Sequence, residues 1–223
     1  MAGSGGRRIG GAGGGSSKGS RKGSAAGTLV LAGVIALTAV NAGGVGGLGG
    51  AGGGGAGGQS VSARKADGQK AAKRGDAEGA WRRFGMRGLR KTPKQAAECV
   101  VSSFGRVREY FEANRCSSMD RMLFAVGDAA GNSAVVSVVW VGFAGRGDAA
   151  GFKSLIDVHG SGDVRPLGGA LLDLGDITFT GRNYGSDRDG DTVVVAEAET
   201  VSGVVDAAVL DALAEVAAYL PRP

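Results

Sequence analysis

Hydrophobic and polar positions divide this chain into three stretches. Thr28 to Val40, TLVLAGVIALTAV, is an almost unbroken apolar run. Around it lie Gly-rich and basic segments with no sustained period. From Thr92 onward, helical and strand periods alternate to the end. Thr92-Pro93 reads as an N-cap followed by proline at the first helical position. Ala97, Val100, Val101, Phe104, Val107 and Phe111 then recur at helical spacing and predict one buried face. Met119 to Val126 and Ala134 to Phe143 read as strands, joined through the turn chemistry of Asp128-Ala129-Ala130-Gly131-Asn132. The second of these is apolar on both faces, as a central strand is.

A short helix is predicted over 149–158, presenting Phe152, Leu155 and Ile156, and 160–173 reads as loop. Asp176 to Tyr184 and Thr192 to Glu199 read as a second hairpin turning through Asp187-Arg188-Asp189-Gly190. Val205 to Leu220 forms the cleanest helical stripe, which Pro221 stops. The order α-ββ-α-ββ-α predicts an α+β fold, with a four-stranded antiparallel sheet carrying helices on one face. The expected domain spans 92–221.

The apolar run has 13 residues, fewer than the ~20 of a membrane span. The stretch without ionisable side chains is longer, from Ala25 to Gly58. A helix over 25–45 would reach roughly 31 Å, enough for a hydrocarbon core of about 30 Å. The segment therefore reads either as a transmembrane anchor or as a signal peptide cleaved after Ala42, leaving Gly43 at the mature N-terminus. The 24 residues before it are long for a signal peptide and favour the anchor. Arg7, Arg8, Lys18, Arg21 and Lys22 precede the run with no acid among them. Cations near a span stay cytoplasmic. The expectation is a single-pass protein of the cell membrane, N-terminus inside and C-terminal domain outside; the alternative is a secreted domain. Arg7-Arg8 fits a twin-arginine export signal poorly, because glycine rather than an apolar run lies close behind it.

Composition sharpens the boundary. Residues 1–94 hold 29 of the 45 glycines, and so much backbone entropy with so few large apolar groups opposes folding. Met1 to Ser24 is expected to be a disordered cytoplasmic tail, and Asn41 to Ser62 a flexible tether. The net charge of +5 conceals +13 over residues 1–94 and −8 over the remainder. Nucleic acid is thus disfavoured as a partner of the acidic domain. Arg64 to Lys94 reads as a basic linker. Within it Trp81, Arg82, Arg83, Phe84 and Arg87 interleave aromatic and basic groups that could lie on anionic lipid.

Arg115 to Arg121, Gly131-Asn132, Val136 to Val141, Gly160 to Val164, Phe179-Thr180-Gly181 and Val194 to Glu199 resemble a family of membrane-anchored or exported proteins of GC-rich bacteria. The resemblance covers roughly 95–221. It implies one compact domain of this topology and no particular activity.

Candidate chemistry is sparse. Cys99 and Cys116 are the only cysteines, and an even pair outside the membrane suggests a disulfide. Along an unbroken helix they would stand roughly 25 Å apart, so bridging requires a break near Gly105 and a chain that doubles back. Two cysteines and one histidine fall short of a structural zinc site. His159, Asp157 and Ser161 suggest a catalytic triad, but no nucleophile elbow surrounds Ser161. Asp187, Asp189 and Asp191 alternate as in calcium loops, yet the glycine and the final acid are misplaced. Arg182, Asn183 and Tyr184, with His159, form a candidate recognition surface. No cofactor is implied. The expected function is binding or interaction outside the membrane, with an unspecified protein or small-molecule partner. The alternatives are an exported hydrolase, using the Asp-rich hairpin or the His159 loop, and a cleaved secreted domain.

Overall fold

The computed structural model describes residues 59–223. The tail, the apolar segment 25–45 and most of the glycine tether lie outside the described residues. Among those described, no helix is long and apolar enough to cross a membrane.

Five helices and six strands follow in the order α1 (Val61–Lys73), α2 (Ala77–Arg82), β1 (Arg87–Lys91), β2 (Gln95–Ala96), α3 (Gly105–Ala113), β3 (Cys116–Gly127), β4 (Ser133–Phe143), α4 (Arg146–Ile156), β5 (Tyr184–Asp189), β6 (Thr192–Ser202) and α5 (Ala207–Ala217). A single 3-10 turn, Gly169–Leu172, lies between α4 and β5. The sheet is antiparallel throughout, in the order β1-β3-β4-β6-β5, with β2 also pairing to β3. The fold is therefore α+β as expected, but with six strands rather than four. β4 is the central strand that its two-sided apolarity predicted, buried from Ala134 to Phe143.

Helices cover both faces of the sheet, where one was expected. On one face Trp81, Phe84, Phe124, Val138, Trp140 and Leu213 join α1, α2 and α5 into a core. On the other, α3 and α4 pack through Val107, Phe111 and Phe152 against Val139, Phe143 and Val195. Here Phe111 stacks on Phe152 with ring centroids 5.0 Å apart. Beside them the loop after α4 lays Leu167, Leu172 and Ile177 over Leu123 and Val135. Strands apolar on both sides need two covers, and four predicted strands with three helices supplied only one.

The segment 64–94 is not a linker. Ser60 caps α1 by accepting from Ala63 N–H, and Asp76 caps α2 by accepting from Gly79 N–H at 2.7 Å. Trp81 and Phe84 are buried in the core, while Arg82, Arg83 and Arg87 remain exposed. The two aromatic side chains expected to meet lipid are thus withdrawn from any surface.

Thr92-Pro93 does not start a helix. Thr92 N–H donates to Leu123 O at 3.0 Å, and its Oγ1 accepts from Leu123 N–H at 3.0 Å. A residue before proline prefers extended backbone, and an edge strand tolerates the missing N–H of Pro93. The helix begins instead at Gly105, whose φ of +62° suits glycine. Val101 is consequently exposed and Phe104 half-exposed. The second hairpin is also displaced. Asp189 pairs with Thr192, so the tight turn places Tyr184–Asp189 in the sheet and leaves 176–183 as a covering loop.

Candidate functional site

The site is assembled by a loop that the rest of the fold pins down. Gly105 and Gly162 approach so closely that a Cβ on Gly162 would lie 2.2 Å from Phe104 O. Backbone bonds continue the seam: Phe104 N–H to Asp163 O at 3.0 Å, Arg106 N–H to Ser161 O at 2.8 Å and Arg165 N–H to Ser102 O at 2.6 Å. The other side of this seam is anchored by a disulfide between Cys99 and Cys116, with Cα atoms 6.5 Å apart. The chain reaches that geometry because residues 97–104 form turns rather than helix.

Between this seam, the end of α4 and the 179–181 loop lies a cavity of about 390 Å³. Its walls include Phe104, Ile156, Pro166, Phe179 and Tyr184, and its acids are Asp157, Asp163 and Glu197. Glu197 lies on β6 and is only 6 % exposed. Its Oε2 accepts from Gly181 N–H at 2.9 Å, the one donor it receives among the described residues. The Asp163 carboxyl is its close neighbour. Neighbouring carboxyl groups hinder one another's ionisation.

Burial, then the charge of Asp163, pushes the Glu197 carboxyl up to about 8. Burial likewise pushes Asp163 up to about 6, partly opposed by the Val164 N–H at 2.6 Å from Oδ1. Near neutral pH the pair therefore shares one proton. Asp157 behaves differently. Its burial alone would raise it, but hydrogen bonds from Lys153 and Ser186, with the Lys153 charge, hold it below the usual range. Lys153 Nζ sits 2.6 Å from Asp157 Oδ2, and Tyr184 O–H donates to Oδ1 at 3.0 Å. Burial raises the Tyr184 phenol and keeps it neutral.

A stability prediction follows from the acid pair. Both folded pKa values lie above those of the free side chains, so the native state binds more protons than the unfolded chain between roughly pH 4 and pH 8. Stability should fall as pH rises through that window and level off above it. Thermal melts from pH 5 to 9 should show this decline, and Glu197→Gln should flatten it. A Tm that rises with pH over that range would contradict the burial of the pair.

The recognition surface expected from sequence is only half assembled. His159 and Tyr184 line the same cavity, His159 at its exposed rim. Arg182 is exposed and lines no part of it, and Asn183 Nδ2 donates to Ala198 O at 3.0 Å. Ser161 is 2 % exposed, and its hydroxyl meets Gly162 O rather than His159, so no triad forms. Among the described residues no three His, Cys, Asp or Glu side chains are set to hold a metal ion, the Asp187-Asp189-Asp191 hairpin included. Cavities of about 340 Å³ between α2 and β1, and of about 510 Å³ beside the disulfide, carry only exposed acids.

Sequence reading missed Asp163 and Glu197. One signal was present. Positions 193, 195 and 197 share a face of β6, and Glu197 interrupts a buried valine series there. An acid on the covered face of a central strand needs a reason to be there. No model of a known protein family, no curated protein and no solved structure matches this chain.

Proposed function

We propose that this chain is a binding protein held at the cell membrane by its segment 25–45, with its domain outside, and that the Asp163–Glu197 cavity receives its ligand. The observation that carries this reading is Glu197: a carboxyl 6 % exposed on the wall of a cavity, beside the acid Asp163 and held by a single backbone donor. Two acids buried beside one another without a charged partner cost stability. A bound ligand would supply that partner. The membrane part of the reading rests on the apolar run and on the five cations before it.

Protease added to intact cells should digest the domain, and the full-length chain should stay with the membrane with its first residues uncut. Recovery of a chain beginning at Gly43 in the medium would favour the secreted alternative. Protection of the domain inside intact cells would remove the reading.

A hydrolase is the second reading, favoured by the proton shared between Asp163 and Glu197. Such a pair can serve as general acid and general base in one step. It requires that hydrolysis of a substrate fall by orders of magnitude in Glu197→Ala.

A further inference from the structure

Resting on the ligand-binding reading, we propose that the cavity takes a small organic ammonium ion bearing an apolar group, its N–H donors received by Glu197 and Asp163 and its apolar part held between Phe104, Phe179 and Tyr184.

The sign of the charge comes from what the cavity lacks. Three acids line it, and neither lysine nor arginine does. Two cations close to the cavity are already engaged. Lys153 holds Asp157 and donates to Ser186 at 2.8 Å. Arg165 lies over the Phe104 ring, 5.6 Å from its centroid, and donates to Val101 O at 3.0 Å and Ser103 O at 2.6 Å. His159 at the rim is the sole base lining the space. An anion would find neither lysine nor arginine on the cavity wall. A bare metal ion would find too few ligands placed together.

Asp163 and Glu197 are neighbouring carboxyls with no lysine or arginine on the cavity wall, and an ammonium ion brings donors and positive charge together. Aromatic faces around a carboxylate suit such a group, because the ring quadrupole attracts cations in a desolvated setting. A volume of about 390 Å³ is at the lower end of ordinary ligand cavities, so the apolar group is about the size of one ring.

Binding has a proton balance. An ammonium ion entering the singly protonated pair displaces one proton to solvent and leaves two carboxylates around one cation. Affinity should then rise about tenfold per pH unit between about pH 6 and about pH 8. The other charged groups do not reverse this sign. Asp157 keeps its salt bridge with Lys153. Glu199, further along β6, is held by the Thr180 N–H and hydroxyl.

The test uses the full chain in neutral detergent micelles. Benzylammonium, benzyl alcohol and benzoate are titrated calorimetrically near pH 6 and pH 8, against the parent chain, Glu197→Gln and Asp163→Asn. Benzylammonium should bind at least tenfold more tightly than the other two, release a proton, and gain affinity with pH. Each variant should lose at least tenfold and lose the pH dependence, while melting as a folded protein. Equal or tighter binding of benzyl alcohol or benzoate, sensitive to Glu197→Gln, would overturn the ammonium ion and leave the binding cavity standing. Failure of all three probes to bind a folded chain would overturn both. Benzylammonium binding that neither variant weakens would place it elsewhere and also overturn the inference.

Discussion

Trp81→Ala is expected to destabilise the fold by about 3–5 kcal/mol, the range for removing a buried aromatic side chain. Trp81 is 1 % exposed, and its ring stands 5.9 Å from that of Phe124 on the sheet. It projects from α2 into the core that α1, α5 and the sheet share, so the cavity left behind would be walled by several elements and could not easily collapse. In a chain of this size the loss corresponds to a Tm lower by roughly 10 °C. Urea unfolding followed by the fluorescence of the remaining Trp140 measures it. A surface or linker tryptophan would change stability by only about 0.5 kcal/mol, so the experiment separates the two placements cleanly.

Removing the disulfide should be the next largest effect. Cys99 and Cys116 are 17 residues apart, and closing a loop of that length restricts the unfolded chain by about 3 kcal/mol. The double variant Cys99→Ser/Cys116→Ser should lose about that much. It should also loosen the cavity. Val101 and Ser103 hold Arg165 through their carbonyls, and Ser103 pairs with Val164 beside Asp163. Amide exchange over 159–165 should therefore quicken in the double variant more than exchange in β4. Unchanged exchange across that loop would show that the seam holds without its anchor.

Long apolar periods were readable directly: β3, β4, β6, α4 and α5 stand close to their expected places. Local propensity failed where tertiary contacts decide. Arg64 to Lys94 looks like a linker because its composition is basic and glycine-bearing, yet a few small and aromatic residues (Ala71, Ala72, Ala80, Trp81) suffice to dock it. Thr92-Pro93 satisfies the rules for a helix start and for an edge strand equally well, and only the free edge of β3 selects the second. Asp176 to Tyr184 has strand-like residues, but the tight Gly190 turn fixes the hairpin register from the other end. The site was harder still. His159 and Tyr184 were visible as isolated polar residues, whereas Asp163 and Glu197 meet across 34 positions of sequence through a seam of glycines and backbone bonds that no local pattern announces. Trp81 and Phe84 were misread for a related reason: interleaved aromatic and basic residues look the same in sequence whether the rings face lipid or core.

The most direct test is the titration of the Glu197 side-chain carboxyl, followed by carbon NMR on the full chain. A midpoint near pH 8 that moves down when benzylammonium is added would bear out a buried acid waiting for a cation. A midpoint in the ordinary glutamate range, indifferent to the amine, would contradict it.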